Sequence, residues 1–371
     1  MRARLGRKQL TIGLVALLAS VTFSGFAGVA ASGIAATAPA SAAKSSGAAA
    51  LATSLAAPVE RNKIVLPETS IDGPAFWTNI PTGEPGAGGN SIIAWTGTDA
   101  AHHLNTVQLQ QESGGYSFTN KKILDETSIA RPAVTVQPSQ IHPIYYFVAW
   151  TGTNQTHSLN VICDGCTSNR IKLTLRAETS FAAPAVAMLD GKLMLAWTGT
   201  DANHSLNILP ISITDGRFVV GQKMILEMFS SNAGPALAYE PDTTVGRGVV
   251  LSWSDRATQK IRMALSSTGT DWPRAGQFTL SEWSDATPNL LAFVPTVDVA
   301  HSYLAWRGID PAHSVNLLYP AYTPMTNATK ATLDETSLGG PALGYIGGAR
   351  VAIVWTGTDS LHHLNFATID V

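Results

Sequence analysis

The sequence has few charged residues and only two cysteines. Charged side chains make up 13% of its 371 residues, and the formal net charge is −2. Nucleic acid and anionic membrane surfaces require a basic patch, so neither is expected as a partner. The two cysteines have no second pair nearby, as a four-cysteine zinc site would need, and no metal or other cofactor is expected.

Beyond its N-terminal region, the sequence also lacks the 3.6-residue hydrophobic periodicity of amphipathic helices. Very little helix is therefore expected. Glycine (32) and proline (20) are plentiful instead, which is typical of chains built from many short strands and turns. The composition favours an all-β fold.

The first 42 residues resemble an export signal. A basic segment is followed by an apolar run from Leu10, and Ala40-Ser41-Ala42 offers a cleavage site. The alternative is an uncleaved membrane anchor, although glycine and serine dilute the apolar run. Residues 43–61, rich in alanine and serine, are expected to be a flexible linker before a domain at 62–371. We expect a secreted monomer with no membrane span after signal removal.

A segment with the template W-T-G-T-D-x-x-H-x-L-N recurs along the chain. Its copies are 47 to 56 residues apart, and the fourth is degenerate. Self-similarity at such a period indicates a repeat architecture. The six copies begin at Trp95, Trp150, Trp197, Trp253, Trp306 and Trp355.

Each repeat divides into four apolar segments, expected to be strands A to D. Strand A follows a proline, B ends at the template tryptophan, C contains Leu-Asn, and D is short and alternating. Six repeats of four antiparallel strands predict a six-bladed β-propeller. A D-type strand at residues 63–66 precedes the first repeat, and the last repeat stops after its C strand. The N-terminal strand is therefore expected to close the last blade.

Polar residues repeat in the turn between strands B and C and in the crossover from D to the next A. Strand alternation puts these two connections on the same face. They could stabilise contacts between blades, with Asx turns and hydrogen bonds, or form repeated glycan pockets in which tryptophan supplies an aromatic surface. The candidates are Glu68, Asp99, His102, Glu126, His157, Glu178, Asp201, His204, Glu282, Asp310, His313, Glu335, Asp359 and His362.

Copies that depart from the template are a second source of candidates. Arg131 precedes the proline of the second repeat, Arg256 lies in the degenerate fourth copy, and Arg307 replaces a threonine in the fifth. Together they could bind a carboxylate or an acidic sugar. The alternative is that all three are solvated surface residues.

The two cysteines lie in the sequence Cys163-Asp-Gly-Cys166. Asp-Gly favours a two-residue hairpin turn, and in an exported protein the pair is expected to be a disulfide that closes it. A redox Cys-x-x-Cys is the alternative, but no βαβ pattern surrounds it.

Residues 266–272, Ser-Ser-Thr-Gly-Thr-Asp-Trp, resemble an Asp-box, as more distantly do residues 214–218 and 113–116. The chain is thus similar to the sialidase-like propellers, in which this box occupies the turn between the third and fourth strands. Enzymes of that family hold the sialate carboxylate with an arginine triad and use a Tyr/Glu nucleophile pair, and their activity carries over only if these residues are matched. Arg131-Pro132 is the nearest match to the opening Arg-Ile-Pro, and no nucleophile pair is matched. The repeats also resemble propeller lectins in architecture.

These observations predict a secreted propeller that binds an extracellular ligand, most favourably a glycan, on the face of the B–C turns. The alternatives are a sialidase-like or other glycoside hydrolase with a non-standard site, and a structural or protein-binding propeller. A lectin predicts several near-equivalent sites. An enzyme predicts one asymmetric pocket containing a carboxyl group of raised pKa.

Overall fold

The computed structural model describes residues 59–78, 91–112, 115–137, 145–166, 170–240, 248–273, 276–293, 301–321, 328–347 and 350–370. These residues form 25 β-strands and no α-helix. The predicted signal (1–42), residues 43–58 of the predicted linker and the Ser113-Gly114 pair lie outside the described residues. No helix of the described part is long and apolar enough to cross a membrane.

The strands form six antiparallel sheets, each of which is one blade. Blade one contains β2 (Ala75–Trp77), β3 (Ser91–Thr96), β4 (His103–Glu112) and β5 (Gly115–Thr127). Blade two contains β6 (Ala133–Gln137), β7 (Tyr145–Thr151), β8 (Ser158–Asp164) and β9 (Ile171–Thr179). Blade three contains β10 (Ala185–Leu189), β11 (Lys192–Thr198), β12 (Ser205–Thr214), β13 (Arg217–Val220) and β14 (Met224–Ser230).

The remaining blades follow the same order. Blade four contains β15 (Ala236–Glu240), β16 (Gly248–Ser254), β17 (Lys260–Ser266) and β18 (Gln277–Trp283). Blade five contains β19 (Asn289–Phe293), β20 (His301–Arg307), β21 (Ser314–Ala321) and β22 (Thr329–Thr336). Blade six contains β23 (Ala342–Tyr345), β24 (Arg350–Thr356), β25 (His363–Asp370) and β1 (Val59–Thr69).

The blades close into a ring. The A strands of neighbouring blades contact one another from β2 round to β23, and β23 in turn contacts β2. The chain is a six-bladed β-propeller. β1 pairs with β25 from Val59↔Asp370 to Thr69↔His363, which confirms that the N-terminal strand closes the last blade. Since β1 begins at Val59, the linker boundary expected at residue 61 lies inside this strand.

Blade three has one strand more than the predicted four. Its outer strand is divided into β13 and β14, which both pair with β12. Asp215 and Gly216 turn the chain between β12 and β13 with positive φ angles of 50° and 70°. Gly221 then packs against Pro210, and a Cβ at this glycine would lie 2.9 Å from the Pro210 carbonyl oxygen. The outer strand therefore pairs with β12 through β13, is interrupted at residues 221–223, and pairs with β12 again through β14.

The core lies between the blades. Six clusters of buried side chains each contain one template tryptophan, together with apolar residues of the preceding blade. All six tryptophans are at most 1% exposed. Trp197, for example, packs with Phe147 and Val161 of blade two. The prediction that the tryptophans fill the space between blades is confirmed, and they are not exposed aromatic surfaces.

Two predicted features lie in turns between strands C and D. Cys163 and Cys166 form a disulfide where β8 ends, as expected from their spacing. Between β17 and β18, the Asp271 carboxylate accepts hydrogen bonds from the hydroxyl groups of Ser266 (2.9 Å) and Thr268 (2.6 Å). The turn that resembles an Asp-box therefore has a structural role.

Candidate functional site

The B–C turns and the D-to-A crossovers share one face, as predicted, and we call it the crossover face. In each of four blades, the serine of a crossover forms an isolated bridge to a residue of a B–C turn. The four bridges are Ser70–Gly97, Ser128–Gly152, Ser180–Gly199 and Ser231–Asp255. In these four blades, backbone pairing thus links a crossover to a B–C turn.

The template aspartates hold the B–C turns. In blade three, the Asp201 carboxylate accepts hydrogen bonds from the backbone N–H groups of Asn203 (3.0 Å) and Ser205 (3.0 Å) and from the Ser205 hydroxyl (3.0 Å). Asp99, Asp310 and Asp359 accept equivalent backbone bonds. Asn154 does so in blade two through its amide oxygen, at 2.9 Å from the Ser158 nitrogen. The repeated aspartate is therefore an Asx-turn residue.

These hydrogen bonds also shift ionisation. Slight burial raises the pKa of the Asp201 carboxyl group. Hydrogen bonds from the Ser205 side chain and from backbone N–H groups lower it by a larger amount, so the net pKa lies below its ordinary value. The pKa values of Asp99, Asp310 and Asp359 are lowered in the same way. The ionised form is thus the one that the folded turn stabilises.

Acid should weaken the turns. Because the folded pKa is depressed, the stability that these carboxylates contribute is complete above their unfolded pKa of about 4 and is lost as the pH falls through the lower folded value. Replacing Asp99, Asp201, Asp310 and Asp359 by asparagine should flatten the dependence of the melting temperature on pH below about 4. Thermal melts from neutral to acidic pH measure this, and equal slopes for variant and wild type would contradict it. Blade two already has asparagine, Asn154, at the position of the template aspartate, so an amide is compatible with this turn.

The template histidines act through their backbone. His102, His157, His204, His313 and His362 have φ angles of 50° to 58°, in the left-handed region where histidine is enriched. Their carbonyl groups accept hydrogen bonds of 3.0 to 3.2 Å from the serine N–H of the next crossover. In blade four, Gln259 takes the same conformation (φ 55°) and accepts the Ser284 N–H at 3.0 Å. Backbone geometry explains the repetition without a ligand.

The crossover glutamates bind lysines of the next blade. Glu178, in β9 of blade two, accepts a hydrogen bond at 2.7 Å from Lys223 of blade three. The Lys223 ammonium also lies 6.0 Å from the centre of the Trp197 ring. Each of five junctions therefore contains a glutamate, a lysine and a template tryptophan. The ion pairs are Glu68–Lys121, Glu126–Lys172, Glu178–Lys223, Glu282–Lys330 and Glu335–Lys63.

A cavity of about 630 Å³ opens at the junction of blades two and three. It is bordered by Glu178 of blade two and by Trp197, Asp201, Asn207 and Lys223 of blade three. We call this cleft, and the equivalent region of the other four Glu–Lys junctions, a junction pocket. It combines carboxylate, ammonium and amide groups beside a buried indole, so it offers both donors and acceptors to a polar ligand.

The junction of blades three and four is built differently. Phe229 and Gln277 occupy the positions of the glutamate and the lysine. Phe229 is 3% exposed and stacks on Trp253, with ring centres 4.6 Å apart. On the same indole, the Arg262 guanidinium lies 5.4 Å from the ring centre and donates to Asp255 at 3.2 Å. An aromatic ring thus takes the place of the ion pair.

Arg131 does not belong to a surface site. Its side chain is buried, and its guanidinium donates to the carbonyl oxygens of Gly340 and Pro341, each at 3.3 Å. Its backbone N–H donates to Asp72 at 2.9 Å. Desolvation lowers the pKa of the guanidinium to about 10, against the attraction of Asp72. Arg131 therefore links blades two, one and six around the axis, and its prediction as a ligand arginine is wrong because burial removes it from solvent.

The other two candidate arginines also bind protein groups. Arg256 donates to the carbonyl oxygen of Ala202 in the neighbouring blade. Arg307 forms an ion pair with Asp285 at 2.7 Å and donates to the Leu338 carbonyl oxygen. The three arginines thus contact three separate sets of groups, which does not support the combined carboxylate site expected from the sequence.

Several residues of the junctions were not among the predicted candidates. The five lysines are one example, although a lysine at the start of strand D recurs visibly in the sequence. His103 and His363 are another, and they contact Asp99 and Asp359 at 2.7 and 2.8 Å. Their signal is a second histidine directly after the template histidine. The template indicated the preceding residues, His102 and His362, as the candidates instead.

Comparison with protein-family models and with curated proteins finds no match. Solved structures do match. A fungal lectin from Aleuria aurantia, a six-bladed propeller that recognises fucose, has a TM-score of 0.56 and 11% identity over 80% of this chain and 91% of its own. This chain shares its fold.

Two further solved structures are similar to this chain to about the same degree. The SapL1 lectin, solved with α-methyl fucoside, has a TM-score of 0.53 and 10% identity over 81% of this chain and 94% of its own. A protein of unknown function from Dyadobacter fermentans has a TM-score of 0.55 and 9% identity over 85% and 100%. At these identities the likeness concerns the fold. The sialidase-like assignment finds no support in these comparisons.

Proposed function

We propose that this protein is a multivalent glycan-binding protein whose sites are the five junction pockets. The observation that carries the proposal is the repeated Glu–Lys–Trp arrangement, which opens as a cavity at the junction of blades two and three. The pocket is polar and concave and lies between two β-sheets, and small-ligand sites are generally concave.

The chemistry of the pocket suits a sugar. A glutamate carboxylate accepts hydrogen bonds from hydroxyl groups, and a lysine ammonium and an asparagine amide donate them. In the pocket of blades two and three these groups belong to Glu178, Lys223 and Asn207. Structural relatives of the same fold recognise fucose or were solved with α-methyl fucoside, so methyl α-L-fucoside is the first ligand to test.

The stoichiometry should be five sites per chain. Five junctions carry the ion pair, and Phe229 closes the sixth against Trp253. Titration calorimetry with methyl α-L-fucoside should therefore give five sites of similar affinity. Replacing Glu178 by glutamine should reduce the number to four, because the charged acceptor of one pocket is lost.

Glu112→Gln is the matched control, since this residue ends β4 away from the crossover face. It should leave five sites. A glycan array run in parallel tests other sugars, and the absence of binding to any glycan would overturn the proposal. An unchanged stoichiometry in the Glu178 variant would place the sites elsewhere.

The turn aspartates are poorly suited to act as the acid of a glycoside hydrolase. Glycoside hydrolysis requires an acid with a raised pKa beside a second carboxylate. The pKa values of Asp99, Asp201, Asp310 and Asp359 are instead lowered by hydrogen bonds, whereas desolvation and the nearby charge of Glu335 raise the pKa of Glu60 in β1. The sialidase-like alternative is tested by incubating the protein with a panel of glycosides, from which we expect no release of sugar.

We further propose that the protein acts outside the cell. The signal-like N-terminus and the Cys163–Cys166 disulfide support export. Secretion should yield a mature chain that begins near Ala43. N-terminal sequencing of the secreted protein tests this, and a retained leader would contradict it.

A further inference from the structure

One junction carries a large aromatic residue where four others carry a threonine. In those four, strand D ends at a threonine whose hydroxyl forms a 2.6 Å hydrogen bond with a threonine in the next B–C turn. The pairs are Thr69–Thr98, Thr127–Thr153, Thr179–Thr200 and Thr336–Thr358. At the junction of blades four and five, β18 ends at Trp283, and Ile309 occupies the turn position.

Both replacements are exposed to solvent. Trp283 is 41% and Ile309 is 48% exposed, whereas the template tryptophans are at most 1% exposed. Lys260 places its ammonium 5.5 Å from the centre of the Trp283 ring, and the indole remains accessible despite this contact. A side chain that sealed the junction would be buried, so sealing does not account for this tryptophan.

Trp283 and Ile309 occupy positions that line the cavity at another junction. In blades two and three, the equivalent residues Thr179 and Thr200 both line the cavity. Trp283 directly follows Glu282, whose carboxylate binds Lys330 of blade five at 2.6 Å. Beside the Glu282–Lys330 ion pair, Trp283 and Ile309 therefore occupy the two positions that line the cavity between blades two and three.

We propose that the junction of blades four and five is an extended saccharide site that binds a disaccharide or longer glycan. One sugar ring occupies the polar pocket at Glu282 and Lys330, and the adjacent ring lies against Trp283. The negative face of an indole attracts the C–H groups on the apolar face of a pyranose. This inference rests on the proposed glycan-binding function. It adds that one site binds at least two sugar rings and therefore differs from the other four.

The size of the patch also favours a sugar over a protein partner. Two side chains at the rim of a polar pocket are far smaller than a stable protein interface, which buries about 800 Å² on each partner. A single pyranose ring matches the area of one indole. The remaining four Glu–Lys junctions have the threonine pair and are expected to bind the terminal sugar alone.

The test compares methyl α-L-fucoside with the disaccharide α-L-fucosyl-galactose, using the full chain. Calorimetry of the wild type should resolve one site that binds the disaccharide about tenfold more tightly than the monosaccharide, and four sites without this preference. Tryptophan fluorescence should change with the disaccharide, since Trp283 is exposed. The double variant Trp283→Thr with Ile309→Thr, which restores the pair found in four junctions, should lose the preference and the fluorescence change while keeping five sites for the monosaccharide.

A transplant provides the converse variant. Thr179→Trp with Thr200→Ile should give the junction of blades two and three the same preference, so that two sites favour the disaccharide. Equal affinity for both sugars at all five sites, or an unchanged preference in the Trp283 variant, overturns the inference and leaves the proposed function standing. Absence of binding to both sugars in the wild type overturns the inference, and the proposed function falls as well only if the glycan array also shows no binding.

Discussion

Replacing Arg131 by alanine is expected to lower the free energy of unfolding by about 3 to 5 kcal/mol, the cost typical of removing one partner from a buried charged arrangement. The guanidinium is buried and donates to carbonyl oxygens of Gly340 and Pro341. Without it, these acceptors lose a donor in a place that water does not reach, and Asp72 loses the nearby positive charge. Denaturant titration followed by circular dichroism measures the loss.

Arg256→Ala is the matched control. This arginine also donates to a backbone carbonyl of a neighbouring blade, but it does so at the surface. Its removal should change the stability by less than about 0.5 kcal/mol. If both variants were equally stable, the axial position of Arg131 would have no energetic importance.

Replacing Leu66 by aspartate is expected to cost at least about 4 kcal/mol, because it brings an unpaired charge into an apolar cluster. Leu66 lies in β1, is 4% exposed and packs in the cluster that contains Trp95 and Phe366. The free energy of unfolding of a domain is only about 5 to 15 kcal/mol. We therefore expect β1 to detach and the released edge of β25 to promote aggregation.

The neighbouring residue supplies the control. Val65 precedes Leu66 on the same strand, points to the opposite side and is 58% exposed. Val65→Asp should remain monomeric, with a melting temperature close to that of the wild type. Size-exclusion chromatography and thermal melts compare the two variants, and similar behaviour would show that β1 does not hold blade six together.

The fold could be predicted from the sequence because the signals were local and repeated. A strand that ends in tryptophan and a crossover that ends in serine occur in every blade, and their count defined the propeller. Even the closing strand followed from order along the chain. The strand was expected from residue 63, four residues after its observed start at Val59, because residues 59–62 follow an alanine-rich segment and lack a strand pattern of their own. The division of β13 from β14 was missed because it depends on a local departure from β12.

The roles of the site residues were less predictable, since they depend on contacts between blades. The glutamate of one repeat meets the lysine of the next, and nothing within one repeat reveals that pairing. In the sequence, Arg131 is a departure from the repeat pattern and was therefore a candidate for ligand binding. Closure of the propeller places its guanidinium against the carbonyl group of Gly340, which is far away in the sequence. Phe229 and Trp283 were likewise visible in the sequence, but only the superposition of repeats identifies which positions they replace.

Closure of blade six has a consequence for the order in which the protein can fold. The ribosome makes β1 before every other strand of the ring and makes its partner β25 after all of them. The earlier blades can form as they emerge, whereas the joining of β1 to β25 cannot occur before residues 363–370 have been synthesised. Contacts between residues so distant in sequence form slowly. Completion of the ring is therefore a late event of biogenesis, and β1 must remain unpaired, without misassociating, until then.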